Sequence, residues 1–168
     1  YNLDTTDEVL KAFNDKAVEE VVIRDGGGDD LIYKQAKQSH DLAKKALRAK
    51  KDGAELKRLY AKAISGYQAV PTDSSNYEKA LLGAAICENE SIAFDSSAAN
   101  RALALVQDYL ENFITDPANA PQDPRQRKIR SEGEPTAVFY LGHTFRALAK
   151  AGDASKWQDV LNAFEGMV

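Results

Sequence analysis

His40, His143 and Cys87 are the residues of this chain whose side chains most readily transfer protons, bind metals or attack as nucleophiles near neutral pH. The histidines are far apart in sequence. Neither belongs to a pair four residues apart with an intervening acid, the spacing that puts two imidazoles on one helix face around zinc. His40 precedes Asp41 in a lysine-rich stretch and reads as half of a solvated pair rather than a catalytic one. Cys87 is the single cysteine, so no internal disulfide forms, and Glu88 beside it opposes the thiolate a reactive cysteine needs. It reads as a small apolar residue in a helix interface, and it leaves the compartment open. No nucleophile motif, phosphate-binding glycine loop or redox cysteine pair is present. The expectation is a protein that is not an enzyme, with no catalytic residues, no metal and no cofactor.

Charge is the other source of chemistry. The formal net charge is −4, unevenly spread: residues 1–30 hold nine acids against three bases, and residues 31–62 hold ten Lys or Arg against three acids. The basic block over 34–62 could meet phosphates if Lys44, Arg48, Lys51, Arg58 and Lys62 shared a surface. No nucleic-acid motif and no interleaved stacking aromatic accompanies it, so a solvated helix face is the simpler reading and a nucleic-acid partner is not expected. A second basic run, Arg125, Arg127, Lys128 and Arg130, falls in a stretch rich in Pro, Asp and Arg from Ala118 to Gly133, which reads as a long mobile loop fitted to an acidic partner segment. That segment could be residues 1–30 of this chain or of a neighbouring copy. Asp25-Gly26-Gly27-Gly28-Asp29-Asp30-Leu31 looks like one turn of a calcium-binding nonapeptide repeat, but one copy has nothing to stack on, and an acidic turn leading into a helix is the expectation.

The elements that carry these residues are helical. Leu56, Leu59, Tyr60, Ala63, Ile64, Tyr67 and Val70 recur at three- and four-residue steps until Pro71. Tyr77, Ala80, Leu81, Ala84 and Ala85 follow the same period over about 76–92. After Asp95-Ser96-Ser97, so do Ala98, Ala102, Leu105, Val106, Tyr109, Leu110 and Phe113. Ile32, Ala36, Ala43 and Leu47 mark an earlier helix, Val138, Leu141, Phe145 and Leu148 a later one ending at Gly152, and Trp157, Val160, Leu161, Phe164 and Met167 the last. Upstream, Leu10, Phe13, Ala17 and Val21 fit a helix, whereas Val21-Val22-Ile23 also suits a strand. Connections this short fold consecutive helices back on one another, giving an all-α array of three antiparallel helix pairs. The division expected is an acidic N-terminal segment with a Gly-rich turn over 1–30 and a helical-repeat domain over 31–168.

Composition agrees with a globular chain: 43% hydrophobic, 29% charged, 10 Gly and 5 Pro in 168 residues, long enough to bury a core without staples. No apolar run approaches the roughly 18 residues of a membrane span. The chain reads as soluble, and beginning at Tyr1 it reads as a trimmed or processed product. Oligomeric state and localisation are left open.

Two segments repeat. Ala80-Leu81-Leu82-Gly83-Ala84-Ala85-Ile86 and Phe139-Tyr140-Leu141-Gly142-His143-Thr144-Phe145 both place a large apolar residue three positions after Leu-Gly. This resembles the first helix of a tetratricopeptide repeat, where the glycine lets the paired helix approach. Ala63-Ile64-Ser65-Gly66-Tyr67 looks like that family's second helix. The resemblance covers roughly 30–168 and departs from the family in three ways. Gly83 and Gly142 are 59 residues apart rather than one period of about 34; the first helix pair lacks Leu-Gly; and the proline closing the second helix is displaced to Pro71. An unrelated α-bundle is the alternative.

The resemblance implies a non-catalytic interaction or scaffolding module whose first helices line a groove for a partner peptide or protein. Carried over from each Leu-Gly, the groove positions are Tyr77, Ala80, Ala84, Cys87 and Glu88 in one repeat and Thr136, Phe139, His143, Arg146 and Ala147 in the other. Phe139, His143 and Arg146 then offer an aromatic, a titratable and a cationic contact on one face, against the plainer reading that Phe139 covers a neighbouring helix and the others are solvated. Two other functions stay open: a helical ligand-binding protein or enzyme with a pocket between helices, and a nucleic-acid-associated protein using the basic 34–62 block.

Overall fold

The structure is a computed structural model that describes residues 28–165, without the side chains of residues 163 and 164. The acidic segment's helix-or-strand question and the expected Met167 contact lie outside the described residues. Six α-helices follow in order: α1 Gly28–Arg48, α2 Gly53–Gln68, α3 Tyr77–Ser91, α4 Ala98–Tyr109, α5 Pro124–Lys150 and α6 Lys156–Glu165. The described residues contain no strand. Each helix packs on the next in sequence, and α3 additionally touches α1 and α5. The odd-numbered helices therefore form one layer of the array. No helix among the described residues is long and apolar enough to cross a membrane.

Helix ends follow local chemistry. Asp29 and Asp30 occupy the first turn of α1 and Lys45 and Arg48 its last, each sign opposite to the nearby end of the helix dipole. The acidic Gly-rich turn thus runs into α1 rather than ending before it. Asp52 caps α2, accepting from the Ala54 and Glu55 amides at 2.9 and 3.0 Å. α1 closes with Lys50 N–H on Leu47 C=O and Lys51 N–H on Ala46 C=O, which puts Lys50 in the left-handed region at φ 54°. α5 closes in the same way, with Gly152 N–H on Ala149 and Asp153 N–H on Leu148.

Two hydrophobic clusters meet on α3. Ala80, Ala84 and Cys87 face Ala36 and Ala43 of α1 and Tyr60, Ala63 and Tyr67 of α2. Leu81 and Ala85 face Val106 and Tyr109 of α4 and Ala137 of α5. Being covered on both sides, the middle of α3 from Ala80 to Cys87 is small and apolar all round, with charged residues toward both ends. Glycines permit the closest approaches. A Cβ on Gly66 would lie 3.1 Å from Ala36 Cβ across the α1–α2 pair, and one on Gly83 would lie 2.7 Å from Tyr67 Cζ. Gly83 therefore makes room for the second helix of the preceding pair, not for its own hairpin partner α4, and it is Gly66 that serves a crossing within a pair. Gly142 is buried on α5.

The largest departure from the sequence reading is the expected loop over Ala118–Gly133. After α4 the chain winds through a π-helical turn, Leu110–Thr115, and a 3-10 turn, Pro117–Asn119. From Pro124 it is helix for 27 residues, about 40 Å at 1.5 Å per residue. Asp123 caps this helix on the Gln126 amide at 2.8 Å, and Pro124 takes the first position, where its missing N–H costs nothing. Pro135 sits in the middle, exposed, without ending the helix. Gly133 is buried because a Cβ there would fall onto the Tyr109 hydroxyl. Arg125, Arg127, Lys128 and Arg130 consequently belong to the opening turns of α5 and not to a loop.

Candidate functional site

The odd-numbered helices enclose a concave groove of about 640 Å³. α1 contributes Tyr33, Lys37, His40, Asp41 and Lys44, at steps of four, three, one and three residues. α3 contributes Lys79, Leu82, Ile86 and Glu90, and α5 contributes Arg125, Lys128, Ile129, Glu132, Thr136 and Tyr140. Tyr67 and Tyr109 reach in from the other layer. Aromatic and aliphatic surface forms the floor and charged side chains form the rim.

One end of the floor is a polar cluster joining three helices. His40, 5% exposed, places Nε2 2.9 Å from Glu90 Oε2, and the Tyr60 hydroxyl donates to the same oxygen at 3.0 Å. An ionised carboxylate only accepts, so Nε2 carries the proton and Nδ1 faces the Tyr67 hydroxyl at 3.4 Å. Burial alone would raise the Glu90 carboxyl, but the His40 and Tyr60 hydrogen bonds and the charges of His40 and Lys44 outweigh it and hold Glu90 below its ordinary value. Burial, reinforced by neighbouring negative charge, pushes the Tyr60 and Tyr67 phenols up, so both stay protonated, and Tyr60 donates to Glu90. The Cys87 thiol, fully buried, is pushed up by the same desolvation, which makes it the packing residue the sequence implied.

The other end is a second cluster. Glu78 receives the Tyr109 hydroxyl at 3.1 Å and Arg130 Nη2 at 3.4 Å, the two charged side chains being 11% and 14% exposed. The Arg130 guanidinium also lies 5.6 Å over the Phe113 ring and donates to the Asn119 carbonyl. Here the basic run splits. Arg130 is bound into the fold, whereas Arg125, Arg127 and Lys128 are exposed, and Arg125 and Lys128 line the groove.

Counting charges on the rim shows what the groove leaves unmatched. Each of its four acids has a partner: Asp41 pairs with Lys44 at 3.4 Å, Glu132 with Lys128 at 3.9 Å and Glu78 with Arg130, and Glu90 accepts a hydrogen bond from His40. Among the described residues, Lys37, Lys79 and Arg125 have no carboxylate within ion-pair distance. Three of the groove's cations thus stand outside any ion pair among the described residues.

Of the positions carried over from the Leu-Gly anchors, the structure brings few to this groove. Tyr77 packs on Phe113, ring centroids 6.1 Å apart, and lines a smaller cleft with Arg130. Ala80, Ala84 and Cys87 are core. Glu88 is 5% exposed on the far side of α3, where Oε1 accepts from Arg101 Nε at 2.8 Å and Oε2 is without a partner. Asp95 joins it there, drawn well below the carboxylate range by the Ser97 hydroxyl, Arg101 and Lys57. Phe139, His143 and Arg146 are exposed on α5, with Phe139 6.0 Å from His143, but none of them lines this groove, and His143 and Arg146 line a separate shallow depression with Ala147 and Lys150. Thr136 alone of that set faces the groove.

The residues that do line it, Tyr33, Lys37, His40 and Lys44 on α1 and Lys79, Leu82, Ile86 and Glu90 on α3, stand at helical spacing and could have been recognised as a second stripe. On α3 the apolar surface runs around the helix, so periodicity cannot say which stripe faces outward. The basic block divides similarly: Lys37 and Lys44 face the groove, while Lys57 pairs with Asp95 on the opposite side at 3.3 Å. No group of three or more His, Cys, Asp or Glu among the described residues is arranged to hold a metal. No protein-family model, curated protein or solved structure matches the chain.

Proposed function

We propose that the chain is a protein-interaction module of tetratricopeptide-like architecture whose α1–α3–α5 groove receives an acidic peptide segment with apolar anchors. The observation that carries this reading is the pairing of an apolar, tyrosine-lined floor with a rim whose acids each have a partner and whose Lys37, Lys79 and Arg125 have no carboxylate partner among the described residues. Tyrosine and aliphatic floor residues contribute area at low entropic cost, and unmatched cations steer and orient an anionic segment. The inner layer of odd helices supports the family likeness, because first helices line the groove in that family.

The test is capture on the immobilised protein of partners identified by mass spectrometry, with two variants beside the parent. Lys37→Glu/Lys79→Glu reverses the rim, and Phe139→Ala/His143→Ala/Arg146→Ala removes the α5 patch. Partners lost with the first and kept with the second support the groove. Loss with the second alone moves the site to Phe139, His143 and Arg146 and overturns the reading.

A further inference from the structure

We infer that the groove is occupied in cis by this chain's own acidic N-terminal segment, residues 1–27, which a partner must displace. This rests on the groove reading above and names the regulator of that site.

Charge is the first argument. Residues 1–27 carry seven acids against three bases, and the groove rim carries three cations without a described carboxylate, Lys37, Lys79 and Arg125. The second argument is the point of attachment. Asn76, at the start of α3, donates to Asp30 at the start of α1 at 3.3 Å, and Arg125, at the start of α5, is close enough to add to the ion-pairing with Lys34 that lowers the Asp30 carboxyl. The three groove helices thus begin at one end of the array. Gly28, the first residue of α1, lies at that end, and the positive ends of three helix dipoles lie at the same end. Three consecutive glycines, Gly26 to Gly28, put no side chain in the way of a reversal. The groove face of α1 from Tyr33 to Lys44 extends about 16 Å, and 27 residues span about 40 Å even when helical, so the segment reaches along it.

Sequence pattern is the third argument. At 100° per residue Leu10, Phe13, Ala17 and Val21 share one stripe, and Asp7 and Glu20 fall on its two flanks. That is the complement of a floor of Leu82, Ile86 and Ile129 between cationic rims. A tether of this length holds the segment at an effective concentration of about millimolar, so a weak contact suffices to compete with a partner.

The experiment uses the full chain. Carbodiimide joins carboxylates directly to amines, and the monomeric product is mapped by mass spectrometry. Links from acids of residues 1–27 to Lys37 and Lys79 that vanish in high salt support the proposal. Links confined to lysines of α2, or found only in a dimeric product, overturn it. In a second arm a fluorescent synthetic copy of residues 1–27 is titrated into the parent and into the chain with Asp4, Asp7, Glu8, Asp15, Glu19 and Glu20 changed to Asn or Gln. Removing the internal competitor should tighten the peptide's binding about tenfold or more. Equal binding to both overturns occupancy in cis and leaves the groove reading standing; binding to neither overturns both.

Discussion

Tyr67 of α2 fills the space that a side chain at residue 83 of α3 would need: its Cζ, Cε1 and Cε2 lie 2.7–2.9 Å from the position of a Cβ on Gly83. The ring is itself buried and packs on Tyr33 and His40, so any shift toward the groove disturbs those two contacts. Gly83→Ala gains about 1 kcal/mol of intrinsic helix propensity but overpacks the contact, and the net expected is a loss of about 1–3 kcal/mol in urea unfolding. Tyr67→Leu in the same chain should recover part of the loss. Unchanged stability in Gly83→Ala would remove the close crossing between pairs.

Arg130 separates from the other bases of its run. Arg125, Arg127 and Lys128 are exposed, and changing all three to Gln should move the unfolding free energy by no more than about 1 kcal/mol. Arg130→Gln strips Glu78 of its charged partner in a mostly enclosed site and lifts a cation off Phe113, and should cost about 1–3 kcal/mol. Equal effects of the two variants would contradict the Arg130–Glu78 contact.

Element positions were largely legible in the sequence, and faces were not. Pro71, Asp95-Ser96-Ser97 and Gly152 punctuate the chain where the helices stop, because backbone chemistry is local. The start of α5 looks like a loop in the sequence because Pro124, Gly133 and Pro135 together are typical loop residues. Pro124 is a first-turn proline, Gly133 is a packing glycine whose reason lies on α4 in Tyr109, and neither role is visible without the neighbour. Glu88 and Glu90 make the same point: two positions apart on α3, one is sealed against Arg101 and the other opens on the groove, and only the contacts of α3 with α1, α4 and α5 decide which.

Lys50 offers a gain. It takes the left-handed conformation at φ 54° that closes α1, a place Gly152 fills at the end of α5. The side chain is exposed and makes no described ion pair. Lys50→Gly should raise stability by about 0.5–1 kcal/mol, read as a higher urea midpoint at unchanged slope. A lower midpoint would mean that the glycine's extra freedom in the unfolded chain outweighs the relief of strain.

Glu90 predicts how stability responds to acid. Its carboxyl is held below the ordinary value of 4.5 by hydrogen bonds from His40 and Tyr60 despite burial, so the folded state binds the proton less readily than the unfolded chain does. The contribution is therefore complete above about pH 4.5 and is lost as pH falls through the lower folded value. Glu90→Gln keeps an acceptor for both donors and cannot titrate. It should be less stable than the parent at neutral pH, and its melting temperature should fall less steeply between pH 5 and 3, the two curves converging at the acid end. The carboxyl carbon of Glu90, followed by NMR, should titrate with a midpoint below 4.5 in the parent and move toward that value in Tyr60→Phe, which removes one donor. Parallel melting curves, or a midpoint at or above 4.5, would mean that burial outweighs the two hydrogen bonds and that the cluster joining α1, α2 and α3 adds nothing that acid can take away.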